Sequence, residues 1–169
     1  MIELAKNDAL KRKSAAIFLL ADILKHDLGA RQYDVVLLLG NCLQDIPHHD
    51  FLALRDAVWR ALDGGGRFVL DLFDGVLAFS RARDQPEETI RETPETVTRS
   101  FMRYDPSRCA YVEEYRNVST GESYVYTSRI YTGPVVDMAM APRFALDSRV
   151  EFEDGRLLSV YGRTAILPP

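Results

Sequence analysis

The side chains in this sequence that can do chemistry gather at a few places. Asp22 stands at the end of an apolar run, Ala16 to Leu20 with Ala21, and Asn41 follows Gly40 at the end of a second run, Tyr33 to Leu39, with Cys42 next to it. A carboxylate and an amide at strand ends suit a polar ligand, although each residue type also serves as a plain turn cap. His48, His49 and Asp50 adjoin, but neighbouring histidines on extended chain point apart and no third ligand is spaced to complete a metal site, so a solvated loop and a helix cap is the reading. His26 beside Asp27 reads as an exposed histidine of a crossover rather than a base. Farther on, Arg99, Arg103, Arg116 and Arg129 alternate with tyrosines that include Tyr104, Tyr124 and Tyr126. Arginines there can grip a carboxylate, or pair across strands with Glu113, Glu114 and Glu122. The tyrosines can line a substrate pocket, pack on the main sheet or meet a second copy.

The elements that must carry these residues are legible from periodicity. Tyr33 to Leu39 and Phe68 to Leu72 are continuous apolar runs joined by an amphipathic stretch ending near Leu62. Strands covered on both faces lose their alternation, and parallel neighbours need a long return path, so the stretch reads as a βαβ unit. Ligands in such sheets sit beyond the carboxyl ends of the strands, which puts Gly40, Asn41 and the residues after Leu72 on the functional edge. Asp50 is placed to cap the helix, with Phe51, Leu52, Leu54, Val58, Trp59, Ala61 and Leu62 as its buried side. Gly64, Gly65 and Gly66 are expected to end it in a left-handed cap. Before the unit, Ile2 to Leu10 carry an amphipathic helix, Ala16 to Leu20 a strand, and Asp22 to Gln32 a crossover, so that Asp22 shares an edge with Asn41.

Asp74 to Pro94 reads as a helical turn and an exposed linker. Thr96 to Tyr104, Ala110 to Asn117 and Glu122 to Tyr131 then form a three-stranded antiparallel meander, cut by Asp105-Pro106-Ser107-Arg108 and Ser119-Thr120-Gly121. It holds six of the 8 tyrosines, so one of its faces is expected to meet a ligand, the main sheet or a subunit. Pro134 starts a short helix to Met140, and Ala145 to Phe152 with Leu157 to Leu167 close the sheet as an antiparallel pair.

Composition narrows the class. With 47% hydrophobic residues, 27% charged and a net charge of -4, nothing draws the chain to nucleic acid. Its apolar runs are too short to cross a bilayer and its first residues are no signal peptide, so no membrane partner and a cytoplasmic location are expected. Cys42 and Cys109 show no metal spacing and read as free thiols.

In order and content these pieces resemble a class I S-adenosylmethionine-dependent methyltransferase of the small-molecule type. The resemblance is carried by Met1 to Lys6, similar to the helix after the family's second strand, by Leu20-Ala21-Asp22-Ile23, and by Tyr33 to Asn41. Leu62 to Asp71, with its three glycines, is similar to the helix end and fifth strand. Ala141-Pro142-Arg143-Phe144 departs from the family's usual Ala-Gly-Phe.

The resemblance implies an α/β fold: a Rossmann-like methyltransferase sheet, incomplete on its N-terminal side, with an inserted antiparallel meander at 96–131 inside one partial domain, 1–169. The family's first strand, glycine-rich turn and acid-ending second strand have no counterpart here, about 60 residues at ~30 per unit, which implies an N-terminally truncated enzyme of doubtful activity. The implied cofactor is S-adenosyl-L-methionine, weakly bound, with Asp22 and Ile23 against adenine and Gly40, Asn41 and Cys42 beside the methyl donor. The implied partner is a small-molecule methyl acceptor, with Tyr104, Tyr124, Tyr126 and Arg129 on its side, and no catalytic residue is singled out. The alternative is a non-catalytic remnant acting as a structural or interaction module. Without its first strands the sheet has an open edge. Ala16 to Leu20 is expected to move across and pair with Tyr33 to Leu39; otherwise a homodimer through that edge or through the meander covers it.

Overall fold

The structure is a computed structural model that describes residues 2–92 and 95–165. Met1, Pro94 and the end of the tail, including Ile166 and Leu167, lie outside the described residues. The chain runs through α1 (Ile2–Lys11), β1 (Tyr33–Leu38), a 3-10 turn at Cys42–Asp45, α2 (His48–Ala61), β2 (Leu62–Phe73) and α3 (Gly75–Asp84). It continues through β3 (Glu87–Glu92), β4 (Glu95–Asp105), β5 (Ala110–Asn117), β6 (Ser123–Arg129), α4 (Gly133–Met140), β7 (Phe144–Glu151) and β8 (Arg156–Arg163). The strands make two sheets, ordered β1-β2-β8-β7 and β3-β4-β5-β6.

The βαβ unit is present. β1 and β2 pair in parallel, Val36 opposite Phe68 and Leu38 opposite Leu70, with α2 as the crossover. Helix α2 buries Phe51, Leu54, Val58 and Ala61, the i, i+3, i+7 stripe of a helix with one apolar side. Phe68, Leu70 and Leu72 alternate inward along β2 and meet that stripe in the core. The tail closes the sheet as an antiparallel pair, β8 against β2 and β7 against β8. Between them Gly155 turns the chain at φ +89°, a conformation that favours glycine.

Several local expectations are corrected. Ala16 to Leu20 is not a strand: it takes no regular structure, and Ile17 and Leu20 are 83% and 91% exposed. The chain after it turns at Asp22, whose carbonyl accepts from the amides of Lys25 and His26, and then ties Arg31 and Gln32 to the last carbonyls of α2. Those carbonyls lack partners within the helix, so they capture the incoming chain. It reaches β1 from the end of α2 and never lies alongside it. The expected pairing of Ala16 to Leu20 with Tyr33 to Leu39 is therefore absent, and β1 is an edge strand rather than a strand covered on both faces, with Val35 and Leu37 about half exposed.

Asp50 does not cap α2. The helix starts one turn earlier, after Pro47, and Asp50 falls within its first turn. Leu52, expected inside, is exposed. Nor do Gly64 to Gly66 form a left-handed cap: Leu62 is already extended, and the glycines lie inside β2. The segment after Asp74 is more ordered than a linker. Asp74 accepts the amides of Val76 and Leu77 at 3.0 and 3.1 Å and so caps a helix of 10 residues, after which β3 adds a fourth strand to the meander.

Helix α3 holds the second sheet over the first. Gly75 donates its amide to the Tyr131 carbonyl at 2.7 Å, and a Cβ there would stand 2.7 Å from the Tyr131 nitrogen. Phe79 packs on Phe101, Tyr104 and Tyr111 with ring centroids 6.0, 5.2 and 5.9 Å away. Tyr131, buried, donates its hydroxyl to the Ile46 carbonyl at 2.9 Å and locks the start of α4 to the chain before α2.

Candidate functional site

Beyond the carboxyl ends of β1 and β2 the loop is tied in place by its own side chains. Asn41 takes the left-handed conformation at φ 58° and its side-chain oxygen accepts the Phe73 amide at 2.9 Å. Asp71 in turn accepts the Gly40 amide at 3.1 Å, so each strand end is clamped by a side chain of the other. Asparagine tolerates the left-handed region better than most residues, which explains its place here.

The second sheet folds its inward face over this loop. Along β5 the alternation puts Tyr111, Glu113 and Tyr115 on one side, and the register sets Ser128, Tyr126 and Tyr124 of β6 opposite them. Between that face and the loop lies a cavity of about 430 Å³, walled by Gly40, Asn41 and Phe73 below and by Tyr111, Glu113 and Tyr126 above. Arg81 of α3 and Arg99 of β4 close its side.

Its electrostatics follow from burial. The Tyr115 hydroxyl is pushed up to about 12, first by burial and then by Glu113. Tyr126 is raised as well, by burial and by the hydrogen bond it donates to Asp45. Both phenols therefore stay protonated at neutral pH and are poor bases. Glu113 is 2% exposed, and burial raises it although Arg99 opposes the shift. One of its oxygens, Oε1, has no hydrogen-bond partner; Oε2 accepts a long bond of 3.4 Å from the Tyr115 hydroxyl.

Of the residues singled out from sequence, Gly40, Asn41, Arg99 and Tyr126 meet at this cavity. Cys42 sits at the start of the 3-10 turn, exposed, its thiol donating to the Leu39 carbonyl at 3.0 Å. Arg129 reaches the same turn and donates to the Asp45 carbonyl at 2.8 Å, which holds the turn against β6. Tyr124 stacks on Tyr115 at 5.2 Å, and Tyr104 packs on Phe79, so both support the wall. Asp22 and Ile23 lie apart from it. Asp22 caps its own turn, accepting the Leu24 amide at 3.0 Å, and pairs with Lys25 at 2.9 Å; that hydrogen bond chiefly lowers its pKa. Ile23 borders a separate cleft with Leu28 and Arg60. The shared edge expected for Asp22 and Asn41 depended on the Ala16 to Leu20 strand and goes with it.

The other candidates are structural. His48 packs against the Tyr131 ring with centroids 4.4 Å apart and the planes tilted by 32°, and His49 stands 3.2 Å from Asp50. Arg99 pairs across strands with Glu88 at 2.8 Å and Glu113 at 3.4 Å, as the cross-strand reading expects. Among the described residues no cluster of His, Cys, Asp and Glu could hold a metal, and no helix is long and apolar enough to cross a membrane. Sequence reasoning passed over Glu113, Asp45 and Arg81 as site residues. For Glu113 a signal existed: an acid stands between two tyrosines on the same face of a strand, where alternation predicts burial.

No protein-family model matches the sequence, and no curated protein matches it. Solved structures do match in shape. An S-adenosylmethionine-dependent methyltransferase from Clostridium acetobutylicum superposes with a TM-score of 0.75 at 12% identity, over 96% of this chain and 71% of that one. The CcbJ methyltransferase from Streptomyces caelestis gives 0.72 at 18% identity, over 97% and 71%. CalS10 from Micromonospora echinaspora, an amino pentose methyltransferase solved with S-adenosylmethionine bound, gives 0.60 at 23%, over 85% and 63%. In this chain the order β1-β2-β8-β7 joins a parallel pair to an antiparallel one. The fold of this chain is that of the class I S-adenosylmethionine-dependent methyltransferases.

Proposed function

We propose that the chain takes part in S-adenosylmethionine-dependent methyl transfer to a small molecule bound in the cavity between the strand ends and the β3-β6 sheet. The observation that carries this is the position of the cavity: it opens on Gly40 and Asn41, beyond the carboxyl ends of parallel strands, where sheets of this kind hold ligands. Its volume of about 430 Å³ suits a small molecule rather than a polymer.

The loop after β1 fits the methionyl side of the cofactor. Gly40 takes φ +80°, and a Cβ there would meet nothing nearer than the Cys42 sulfur at 3.9 Å, so the backbone stands open to a ligand. Gly40, Asn41 and Cys42 would hold that side. Asp22 and Ile23 are kept for the adenine side on resemblance, with the Asp22 carboxylate released from Lys25. Bound S-adenosylmethionine supplies an electrophilic methyl group. The chain's own residues align the acceptor over it, the main requirement of an in-line displacement. Tyr126 and Tyr115 exclude water, Tyr124 and Arg129 brace them, and Tyr104 packs on Phe79 opposite Tyr111. Free, exposed Cys42 and Cys109 suit the cytoplasm.

Calorimetric titration of the full chain with S-adenosylhomocysteine tests this reading. Weak binding that Asn41→Ala and Asp22→Ala each reduce supports it. Binding unchanged by Asp22→Ala removes that residue from the adenine side, and no heat at millimolar ligand removes the cofactor. A second reading, an interaction module that docks a second copy, is favoured by the free edge of β1 with its half-exposed Val35 and Leu37.

A further inference from the structure

Glu113 is the least satisfied buried group in the cavity wall. Its side chain is 3% exposed, its Oε1 accepts no hydrogen bond, and its other oxygen accepts only the 3.4 Å bond from Tyr115. Buried carboxylates are normally fully bonded, because an unmatched charge in a low-dielectric wall is costly. The groups that face it do not fill the need. Arg99 has its Nη2 engaged by Glu88 at 2.8 Å and faces Glu113 Oε1 only with its Nε at 3.4 Å, an ion pair without hydrogen-bond geometry. Arg81 lies over the Phe73 ring, 5.6 Å from its centroid. The hydroxyl of Tyr126, opposite Glu113 in the β5-β6 register, is given to Asp45. Tyr111 adds a ring beside the carboxylate. The wall thus holds, among aromatic faces, a carboxylate oxygen with one cation 3.4 Å away and no hydrogen bond, and what it lacks is a charge-assisted hydrogen bond.

We propose that the cavity takes a primary or secondary amine, held as its ammonium by the Glu113 carboxylate, and that Glu113 accepts the proton this nitrogen must shed. This rests on the methyl-transfer reading above and deepens it. An alcohol gives the oxygen one hydrogen bond but leaves its charge opposed only by Arg99 at 3.4 Å; an ammonium supplies a hydrogen bond and a second, closer positive charge, and the aromatic faces of Tyr111 and Tyr115 favour a cation further. An ammonium has no lone pair and cannot act as a nucleophile. When Glu113 takes a proton, the N–H bond breaks, its electron pair stays on nitrogen, and a carboxyl O–H bond forms; the neutral amine then faces the methyl donor's side of the cavity. The raised affinity of Glu113 for protons, caused by burial, brings it closer to an amine and makes the transfer less uphill.

The experiment uses the full chain and two shape-matched probes, benzylamine and benzyl alcohol. NMR follows the Glu113 side-chain carboxyl carbon and the amides of Tyr111, Tyr115 and Tyr126. Benzylamine is expected to bind about tenfold more tightly than the alcohol at neutral pH, the step that a single charge-assisted bond provides. It should also lower the pH at which the Glu113 carbon titrates, because a cation beside it favours the carboxylate, while the alcohol should not. In Glu113→Gln the two probes should bind within about twofold of each other. Equal binding by the native chain, an unmoved Glu113 titration, a preference that survives in Glu113→Gln, or no response to either probe overturns the inference. The native-chain measurements decide the matter alone if that variant does not fold. Titration with S-adenosylhomocysteine separates this from the reading beneath it. Cofactor binding without amine preference sinks the inference only, and amine preference without cofactor binding sinks methyl transfer only.

Discussion

The side-chain oxygen of Asn41 accepts the backbone amide of Phe73 at 2.9 Å, so the loop after β1 is fastened to the end of β2 by one residue in a left-handed conformation. Two costs are then separable by substitution. Asn41→Ala loses the hydrogen bond and forces a Cβ-bearing residue without a compensating polar group into φ 58°, for a loss of about 1–3 kcal/mol. Asn41→Gly loses only the bond and should cost roughly half as much. Urea unfolding measures both; an equal loss in the two variants removes the backbone part.

Glu113 links stability to pH in a definite direction. Its carboxyl titrates above its ordinary value of 4.5 in the folded chain, because burial disfavours the charge more than Arg99 favours it. Below that ordinary value the group is protonated in both states and contributes nothing. As pH rises from there through the folded value, the unfolded chain ionises first and native stability falls. Glu113→Gln should therefore be more stable than the native chain by about 1–2 kcal/mol at pH 7 and equal to it near pH 4. Chemical denaturation at the two pH values gives the answer, and a variant less stable at pH 7 means that the Arg99 pair outweighs burial.

Gly75 has no room for a side chain. A Cβ there would stand 2.7 Å from the Tyr131 nitrogen and 2.8 Å from its oxygen, both backbone atoms that cannot swing aside. Gly75→Ala should cost about 1–3 kcal/mol and shift α3, which carries Arg81 along the cavity and Phe79 against the second sheet. Thermal unfolding reports the cost. Displaced NMR signals for Tyr104 and Tyr111, which pack on Phe79, report the shift; unchanged signals there mean that the strain is absorbed elsewhere.

The free edge of β1 predicts self-association. Val35 and Leu37 are 49% and 58% exposed on a strand whose outer backbone groups face no other strand among the described residues. Light scattering should show a mass that grows with concentration, and Leu37→Lys, which puts a charge on that edge, should return the chain to monomer. A native chain that stays monomeric at high concentration leaves the edge without this role.

Local chemistry determined much of the fold. The apolar runs around Val36 and Leu70, with a helical stripe of Phe51, Leu54 and Val58 between them, specify the βαβ unit because each periodicity is a property of neighbouring residues. The turns at Pro106 and Gly121 likewise mark the strands of the meander, and Pro134 marks the start of α4. What sequence could not decide is who pairs with whom. Ala16 to Leu20 has the composition of a strand, yet a strand exists only where another backbone offers its donors and acceptors, and the carbonyls at the end of α2 draw the chain away from β1. Conversely Gly64 to Gly66 and Glu87 to Glu92 look like loop but become strand because β2 and β4 continue beside a partner. The site shows the same division. Gly40 and Asn41 were legible as a strand end, but Glu113 acquires its meaning only when the second sheet folds over the loop, since burial and an unmatched oxygen are relations between distant parts of the chain.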